Sequence, residues 1–357
     1  APEAKDSSSF SGRWWERTLL DAHVSLTVPW LSAILLLVSP INPQSLSSKE
    51  PPFLPGVLQP NMKLLLVERF ENQLIGPESI ADIEDVPFTS TTDGWVVTFE
   101  NYGEVETTAQ FGAGLCKTQD DEPDCGTYVG IQAWPNRTLF VVDTYKGLFE
   151  VNPWKEVKLL LCSDTPIERK KISFVDDLTL TKDERKTDFT EEAAIGKGTD
   201  ESCLLEYDTV TKEVKVLLDQ LRFPNGLQHS PAEFVLVAET TMARIRRFYI
   251  LGLMKGGTDI FMENMPGFPD NIHLISSGGH SILALTFLCW ASYLRALQSR
   301  PVMNVASWCS LVLELWKSPP DSKGLMATYV GEMHKQDRHL YLGSFGAFLC
   351  RLSLKMV

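Results

Sequence analysis

Carboxylate and amide side chains recur along this sequence at intervals that could bring their oxygen atoms to a single cation. A frame of two polar or small residues followed by an aliphatic residue occurs six times, at spacings of roughly 45 to 53 residues. The six frames are Glu78-Ser79-Ile80, Val129-Gly130-Ile131, Asp176-Asp177-Leu178, Asn225-Gly226-Leu227, Asp270-Asn271-Ile272 and Lys323-Gly324-Leu325. Four of the six begin with an oxygen-bearing side chain that could bind a metal ion.

These oxygen atoms predict a site for Ca²⁺ or another divalent cation. Ca²⁺ takes about six to eight oxygen ligands from carboxylates, amides, carbonyls and water. The predicted metal ligands are Glu78, Asp176, Asn225, Asp270 and Asn271. Carboxylates clustered without a cation would repel one another, so an ion is the simplest way to neutralise them. The alternative, which stays open here, is that each motif is only a turn at the start of a strand.

The spacing of the frames also predicts the elements that must position them. A period of roughly 40 to 50 residues with strand-like interiors is typical of a β-propeller, with one blade per repeat. The innermost strand of each blade lines a common axis, where equivalent positions converge. Short aliphatic and β-branched runs such as 138–143 and 234–239 are typical of its strands. We therefore expect an all-β fold, a six-bladed β-propeller over residues 71–357.

The composition restricts the classes of function. The net charge is −13 and the sequence pI is near 5.0, whereas a nucleic-acid-binding protein needs a basic face. We therefore expect no nucleic-acid partner, and the sequence identifies no protein partner. The hydrophobic content of 44% is enough for a folded body.

The N-terminal region predicts attachment to a membrane. Residues 18–39 are mostly apolar and long enough for a single transmembrane helix, a signal anchor. Arg13 and Arg17 precede this run, so residues 1–17 are expected to form a cytoplasmic tail. Residues 40–70, rich in Pro and Ser, read as a stalk. The resulting prediction is a single-pass type II protein of the cell surface or endoplasmic reticulum, although a cleaved signal peptide remains an alternative.

Two further features fit an extracellular or luminal location. Asn136 begins an Asn-Arg-Thr sequon between two strand-like runs and is a predicted glycosylation site. Seven cysteines fit an oxidising compartment if some of them are paired. Cys116 and Cys125 bracket a short acidic loop, which favours a local disulfide between them.

Longer strings of residues resemble a known family. The tract 221–271 is similar to the strictosidine synthase-like family, and 76–80, 144–161, 204–221 and 339–354 extend the resemblance. The resemblance covers most of the chain. It implies a six-bladed propeller on a type II anchor, with arylesterase activity. The wider superfamily includes paraoxonases and gluconolactonases, which hold Ca²⁺ or a related cation on the propeller axis.

The resemblance also assigns roles to individual residues. Glu78 matches the axial Glu of the superfamily, and Asn225 its Pro-Asn-Gly ligand. Asp270 and Asn271 match its Asp-Asn pair. Asp176 stands where the family usually has Asn, which adds a carboxylate to the expected site.

Three further positions depart from the family pattern. Val129 lies where paraoxonases carry a catalytic His, and Lys323 lies where this subfamily tends to have Asp. Strictosidine synthases carry a catalytic Glu just before their last strands. Glu332 is close to that position but one residue out of register, so its role is not carried over. These departures bear on catalysis more than on cation binding.

The leading functional hypothesis is metal-assisted hydrolysis of a small ester or lactone. The cation would polarise the carbonyl group, and a carboxylate, Asp176, would activate water as the catalytic base. His229 and His273 follow axial positions and could contribute. No Gly-x-Ser-x-Gly motif supports a serine esterase. The alternatives are a non-catalytic cell-surface binding propeller with a structural cation and, least favoured, carbon–nitrogen condensation.

Overall fold

A computed structural model describes the propeller region of the chain. Apart from Phe53 and Pro55, the described ranges are 68–70, 73–99, 105–110, 122–134, 136–153, 156–167, 170–171, 175–181, 186–191, 202–230, 233–265, 268–273, 286–287, 330–336, 338–344 and 349–354. The chain divides into two compact units, and all of these ranges belong to the larger one. The smaller unit, which contains residues 1–47, lies outside them.

The predicted tail (1–17), anchor (18–39) and most of the stalk (40–70) therefore lie outside the described residues. Within the described part of the chain, no helix combines the length and the apolarity needed to cross a membrane. The transmembrane helix accordingly stays a prediction from the sequence.

The described secondary structure is almost entirely short strands, with one α-helical turn, α1 (Glu122–Cys125), and one 3₁₀ turn (Thr240–Met242). The strands are β1 (Glu68–Arg69), β2 (Ile80–Ile83), β3 (Val86–Ser90), β4 (Trp95–Phe99), β5 (Val105–Gln110), β6 (Tyr128–Trp134), β7 (Thr138–Asp143), β8 (Gly147–Asn152), β9 (Glu156–Cys162), β10 (Pro166–Ile167), β11 (Lys170–Lys171), β12 (Val175–Leu180), β13 (Lys186–Glu191), β14 (Ser202–Asp208), β15 (Val214–Leu221), β16 (Pro224–Ser230), β17 (Phe234–Glu239), β18 (Arg244–Tyr249), β19 (Thr258–Met262), β20 (Phe268–Pro269), β21 (Thr286–Phe287), β22 (Val330–Gln336), β23 (His339–Ser344) and β24 (Cys350–Ser353).

These strands pair into antiparallel sheets that follow chain order. Four consecutive strands form each of the sheets β2 to β5, β6 to β9, β12 to β15 and β16 to β19. A further four-stranded sheet has the order β1-β24-β23-β22, and β10-β11 and β20-β21 form two-stranded pairs. The first strands of successive sheets contact one another, β2 with β6, β6 with β12 and β12 with β16, and β2 also contacts β22. Repetition of four-stranded meanders around their first strands is the architecture of a β-propeller, so the prediction of an all-β propeller is confirmed.

The hydrophobic core lies between neighbouring sheets. The second strands β7 and β17 are buried along their whole length, because sheets pack on both of their faces. Leu178 and Tyr207 of one sheet pack with Phe140 and Val142 of the preceding sheet. In the same way, Phe99 of β4 meets Tyr341 of β23 edge-on at 5.3 Å between ring centroids. The sheets are therefore held together face to face by apolar side chains.

Glycine allows the first strands to approach closely near the axis. A Cβ atom on Gly226 would lie 2.3 Å from the carbonyl oxygen of Asp270 in the following repeat. Gly130 would come within 3.0 Å of the backbone at Asp176 in the same way. The Gly at the second position of these frames is thus required by backbone packing, not by a turn.

Candidate cation site

The predicted ligands gather at one end of the first strands. Asp176 is the second residue of β12, and Asn225 is the second residue of β16. Glu78 lies two residues before β2, and Asp270 directly follows β20. Each of the four residues is buried, with 7 to 8% of its surface exposed. The β-propeller fold thus removes these polar groups from solvent at equivalent places in four repeats.

The carboxyl groups are close enough to shift one another's pKa. Burial is the main cause that raises the pKa of Glu78 well above its usual value, and the charges of Asp176 and Asp270 raise it further. Burial and then the charge of Asp270 likewise raise the pKa of Asp176. The structure therefore brings these three predicted ligands into one electrostatic cluster.

Asp270 carries the best-defined shift of the cluster. Burial, followed by the charge of Glu332, raises the pKa of Asp270 to about 8, while a hydrogen bond from Asn225 opposes the rise. Asn225 is thus within hydrogen-bonding reach of Asp270, as expected for two ligands of one ion. Without a cation, burial and the charge of Glu332 therefore favour the protonated form of Asp270.

Two buried oxygen atoms in the cluster lack hydrogen-bond partners, Glu78 Oε2 and Asp270 Oδ1. A buried oxygen left without a partner costs roughly 1 to 3 kcal/mol. Carboxyl oxygen atoms that accept no hydrogen bond suit a hard cation such as Ca²⁺. Among the residues that the structure describes, no three Asp, Glu, His or Cys groups already stand at metal-binding spacing. The chemistry and burial of these residues therefore fit a cation, although their side chains are not already arranged around one.

The second residues of the frames have a structural role. Asp177 accepts hydrogen bonds from the backbone N–H of Leu178 at 2.8 Å and of Leu227 in the next sheet at 2.7 Å. Ser79 Oγ accepts from the N–H of Ile131 at 3.2 Å in the equivalent place. Burial raises the pKa of Asp177 to about 7, and these hydrogen bonds limit the rise. Asp177 therefore joins two sheets beside the cluster.

Asn271, which the sequence predicts as a ligand, is directed toward Glu332. Its amide Nδ2 donates to Glu332 Oε2 at 2.9 Å. His273 Nε2 lies 2.6 Å from Glu332 Oε1. Burial alone would lower the pKa of His273, but the charge and hydrogen bond of Glu332 raise it overall. A fully buried carboxylate is therefore held between an amide and an imidazole beside the predicted ligands.

Glu332 is the functional candidate that the frame missed. The sequence puts the sixth frame at Lys323-Gly324-Leu325, outside the described residues, but the strand that meets the Asp270 repeat is β22. A Cβ atom on Gly331 would lie 2.9 Å from Asp270 Oδ2, and the N–H of Asn271 donates to the Gly331 carbonyl. The Lys323-Gly324-Leu325 frame stays a prediction, and Gly331 and Glu332 of β22 are the described residues next to Asp270 and Asn271. The frame missed them because Val330-Gly331-Glu332 ends in a carboxylate and not in an aliphatic residue.

The other predicted positions lie as follows. Val129 is buried in the apolar core between two sheets. The backbone N–H of His229 donates to Thr179 Oγ1 at 3.0 Å, and the residue lies near the opposite end of β16 from Asn225. His334, two residues beyond Glu332 on β22, has Nε2 2.6 Å from Asp82 Oδ2. His273, in contrast, contacts Glu332 beside the cluster.

The two modification sites differ in how far the structure describes them. Asn136 is exposed in the turn between β6 and β7, where Thr138 Oγ1 donates to Asn136 Oδ1 at 2.5 Å. Cys125 forms a disulfide, and Cys116 lies outside the described residues. Glycosylation of Asn136 and pairing of Cys125 with Cys116 stay predictions.

Comparisons with known proteins identify relatives over the whole chain. The sequence model of the family described as strictosidine synthase matches residues 176–253. The chain is 59% identical to the adipocyte plasma membrane-associated protein of Homo sapiens, over 100% of this chain and 94% of that protein. It is 57% identical to the protein of the same name from Bos taurus, over 99% and 94%.

A solved structure is similar in fold. The gluconolactonase from Xanthomonas campestris superposes with a TM-score of 0.54 at 15% sequence identity, covering 88% of this chain and 99% of that chain. At this identity the likeness extends to the fold alone, which agrees with the meander of sheets described above.

Proposed function

Since the chain belongs to the adipocyte plasma membrane-associated proteins of the strictosidine synthase-like family, we propose that it is a membrane-associated propeller that hydrolyses small carboxylic esters or lactones. The observation that carries the proposal is the buried cluster of Glu78, Asp176 and Asp270. Besides burial, the charges of Asp176 and Asp270 raise the pKa of Glu78, and the charge of Asp270 raises the pKa of Asp176. Burying three mutually repelling carboxyl groups is costly. Such an arrangement is typical of functional sites.

The proposed cofactor is Ca²⁺ or another divalent cation. Glu78, Asp176, Asn225 and Asp270 would hold it, with Asn271 contributing through its carbonyl oxygen. When bound, the cation would supply Lewis acidity for an ester carbonyl and for the oxyanion that forms from it. The partnerless atoms Glu78 Oε2 and Asp270 Oδ1 support this assignment.

Two groups of the chain are suited to move the proton of the attacking water. Asp176 is the proposed catalytic base, because burial and the neighbouring charges raise its pKa from a range in which a carboxylate is a weak base. His273 is the second candidate, because Glu332 holds its Nε2 at 2.6 Å and so fixes the orientation of the ring. Asp176 belongs to the carboxyl cluster, and His273 is linked to the cluster through Glu332.

The finer architecture is part of the same proposal. The β20–β21 pair follows the β16–β19 sheet and precedes β22 in the chain, which supports a fifth repeat between them and so a total of six blades. Residues 18–39 are proposed to anchor the chain as a type II protein. The relatives' name, which refers to the plasma membrane, supports an attachment to the membrane.

A non-catalytic binding propeller is the second candidate, and two observations favour it. Both oxygens of Glu332 already have partners, Asn271 and His273. Val129 supplies a buried aliphatic side chain where a catalytic His would be expected. In that case the cation would serve only to neutralise the carboxylates.

Hydrolysis of phenyl acetate by the purified protein separates the two candidates. The assay compares the wild type with Glu78→Gln and Asp176→Asn, each with Ca²⁺ and with EGTA. Asp219→Asn, at an exposed position of β15, is the matched control. Loss of turnover in EGTA and in both cluster variants, with the control active, would support hydrolysis. Turnover that is indifferent to all of these changes would refute the metal-assisted mechanism. A chelator-dependent fall in Tm without any turnover would favour the binding propeller.

A further inference from the structure

A cavity lies between two sheets, at the far end of their strands from the carboxylate cluster. Its volume is about 430 Å³, within the range of roughly 300 to 1,000 Å³ that is usual for small-molecule sites. Thr181 directly follows β12 and His229 is near the end of β16, whereas Asp176 and Asn225 begin those strands. The cavity is therefore separate from the proposed catalytic site.

Most of the cavity lining is apolar, with two lysines at exposed positions. Phe248, Ile250, Val216, Leu217 and Leu251 form the apolar part. Lys215 and Lys255, both exposed at their positions, also line it. Glu206 lies directly opposite Lys215 across the β14–β15 pair and offsets its charge. Lys255 is thus the cation that can meet a bound anion, while the carboxylate of Glu233 lies beside Gly252 on the same turn.

The rim is formed by a well-defined turn between β18 and β19. Gly252 and Gly256 adopt positive φ angles of 74° and 82°. The N–H of Gly256 donates to the Tyr249 carbonyl at 2.8 Å, and the N–H of Gly257 donates to the Met254 carbonyl at 2.8 Å. Leu253, at the tip of this turn, is fully exposed, and Met254 is 59% exposed. A rigid turn therefore presents apolar side chains to solvent next to the mouth of an apolar cavity.

We propose that this cavity binds the alkyl chain of an amphipathic anion, with its carboxylate or phosphate group held by Lys255. The apolar lining stabilises the bound alkyl chain in proportion to the apolar area that it buries, and Lys255 favours a negatively charged head group. The ligand can be a free carboxylate or a lipid from a membrane that Leu253 and Met254 contact. This inference does not depend on the proposed hydrolysis.

Isothermal titration of the full-length protein with decanoate tests the proposal, with decanol and decyltrimethylammonium as uncharged and cationic probes. Decanoate should bind most tightly, and its affinity should rise about threefold to fourfold per added methylene from octanoate to decanoate. Lys255→Glu should weaken binding about fivefold, whereas Lys335→Glu, at an exposed position of β22, should leave it unchanged. Val216→Trp, which fills the cavity, should abolish binding; if this variant fails to fold, the Lys255→Glu comparison suffices.

Flotation distinguishes the source of the anion by comparing phosphatidylserine with phosphatidylcholine vesicles, because residues 18–39 would attach the protein to both. A preference for phosphatidylserine vesicles that is lost in both Leu253→Asp and Lys255→Glu, without titration by decanoate, would support the cavity with a membrane lipid as its ligand. Binding of decanoate in solution would support a free carboxylate. Equal affinity for decanoate and decanol, insensitivity to Lys255→Glu in both assays, or neither decanoate binding nor a phosphatidylserine preference would overturn the proposal.

Discussion

In cation-free protein, the stability of the wild type should fall as the pH rises, and replacing Asp270 by Asn should make this fall smaller. Burial, together with the charge of Glu332, raises the pKa of Asp270 from 3.8 to about 8. Between these two values the folded protein holds a proton that the unfolded chain releases. The free energy of unfolding therefore falls as the pH rises through this window, and it levels off above the folded-state pKa.

The expected magnitude follows from the same two values. One pKa unit corresponds to about 1.4 kcal/mol, so Asp270 contributes a loss of up to about 1.4 kcal/mol per pH unit. Between pH 5.5 and pH 7.5 this amounts to roughly 3 kcal/mol at most. Asp177, with a pKa raised to about 7, adds a loss of the same sign over part of the range. Asp270→Asn should therefore show a shallower pH dependence, without becoming entirely flat.

Urea unfolding followed by tryptophan fluorescence at pH 5.5, 6.5 and 7.5 in EGTA measures this slope. Asp219→Asn, which changes an exposed carboxyl group, should retain the wild-type slope. Excess Ca²⁺ should stabilise the wild type at pH 7.5, because an ion that binds only the folded state raises its stability by mass action. The same Ca²⁺ should stabilise Asp270→Asn less. A wild-type stability that is constant or rises from pH 5.5 to 7.5, or an equal slope in Asp270→Asn, would refute the reasoning.

Three further changes test separate parts of the structure. Gly226→Ala should lower the free energy of unfolding by about 2 to 3 kcal/mol, because its Cβ would lie 2.3 Å from the Asp270 carbonyl oxygen; an unchanged urea midpoint would contradict this packing. Glu332→Gln should lower the pKa of His273, read from histidine NMR signals, since the Glu332 charge raises it; an unaltered titration would disprove the pairing. Asn136→Gln should remove a glycosidase-sensitive mobility shift on gels of protein expressed by a secretory route, whereas a wild type without that shift would exclude glycosylation.

The strands and their repeat were predictable because their signals are local. Aliphatic and β-branched residues predict strands at 138–143 and 234–239, and these runs are β7 and β17 in the structure. The meeting of Glu78, Asp176 and Asp270 followed from one periodic frame, since equivalent strand positions converge in a propeller. Local patterns were therefore sufficient for the fold and for the three carboxyl groups.

The place of Glu332 beside the cluster was not predictable from the same frame, because Val330-Gly331-Glu332 does not end in an aliphatic residue. Lys323 lies outside the described residues, so its frame stays a prediction. The register of β22 depends on Gly331 packing against Asp270, a contact between residues far apart in the chain. The contacts of Glu332 with Asn271 and His273 likewise depend on the three-dimensional fold, and the spacing of these residues in the sequence does not predict them.

The pairing of β1 with β24 has a consequence for the order in which the chain can fold. Glu68 and Arg69 pair with Arg351 and Cys350, so β1 can pair only after β24 has been synthesised. The meanders between them pair only with their neighbours in sequence and can form as the chain emerges. The long-range β1–β24 closure carries the largest loop-closure cost of any strand pair in the described residues. A chain truncated before Cys350 would therefore hold its inner sheets but leave both ends of the array with open strand edges, which are prone to aggregation.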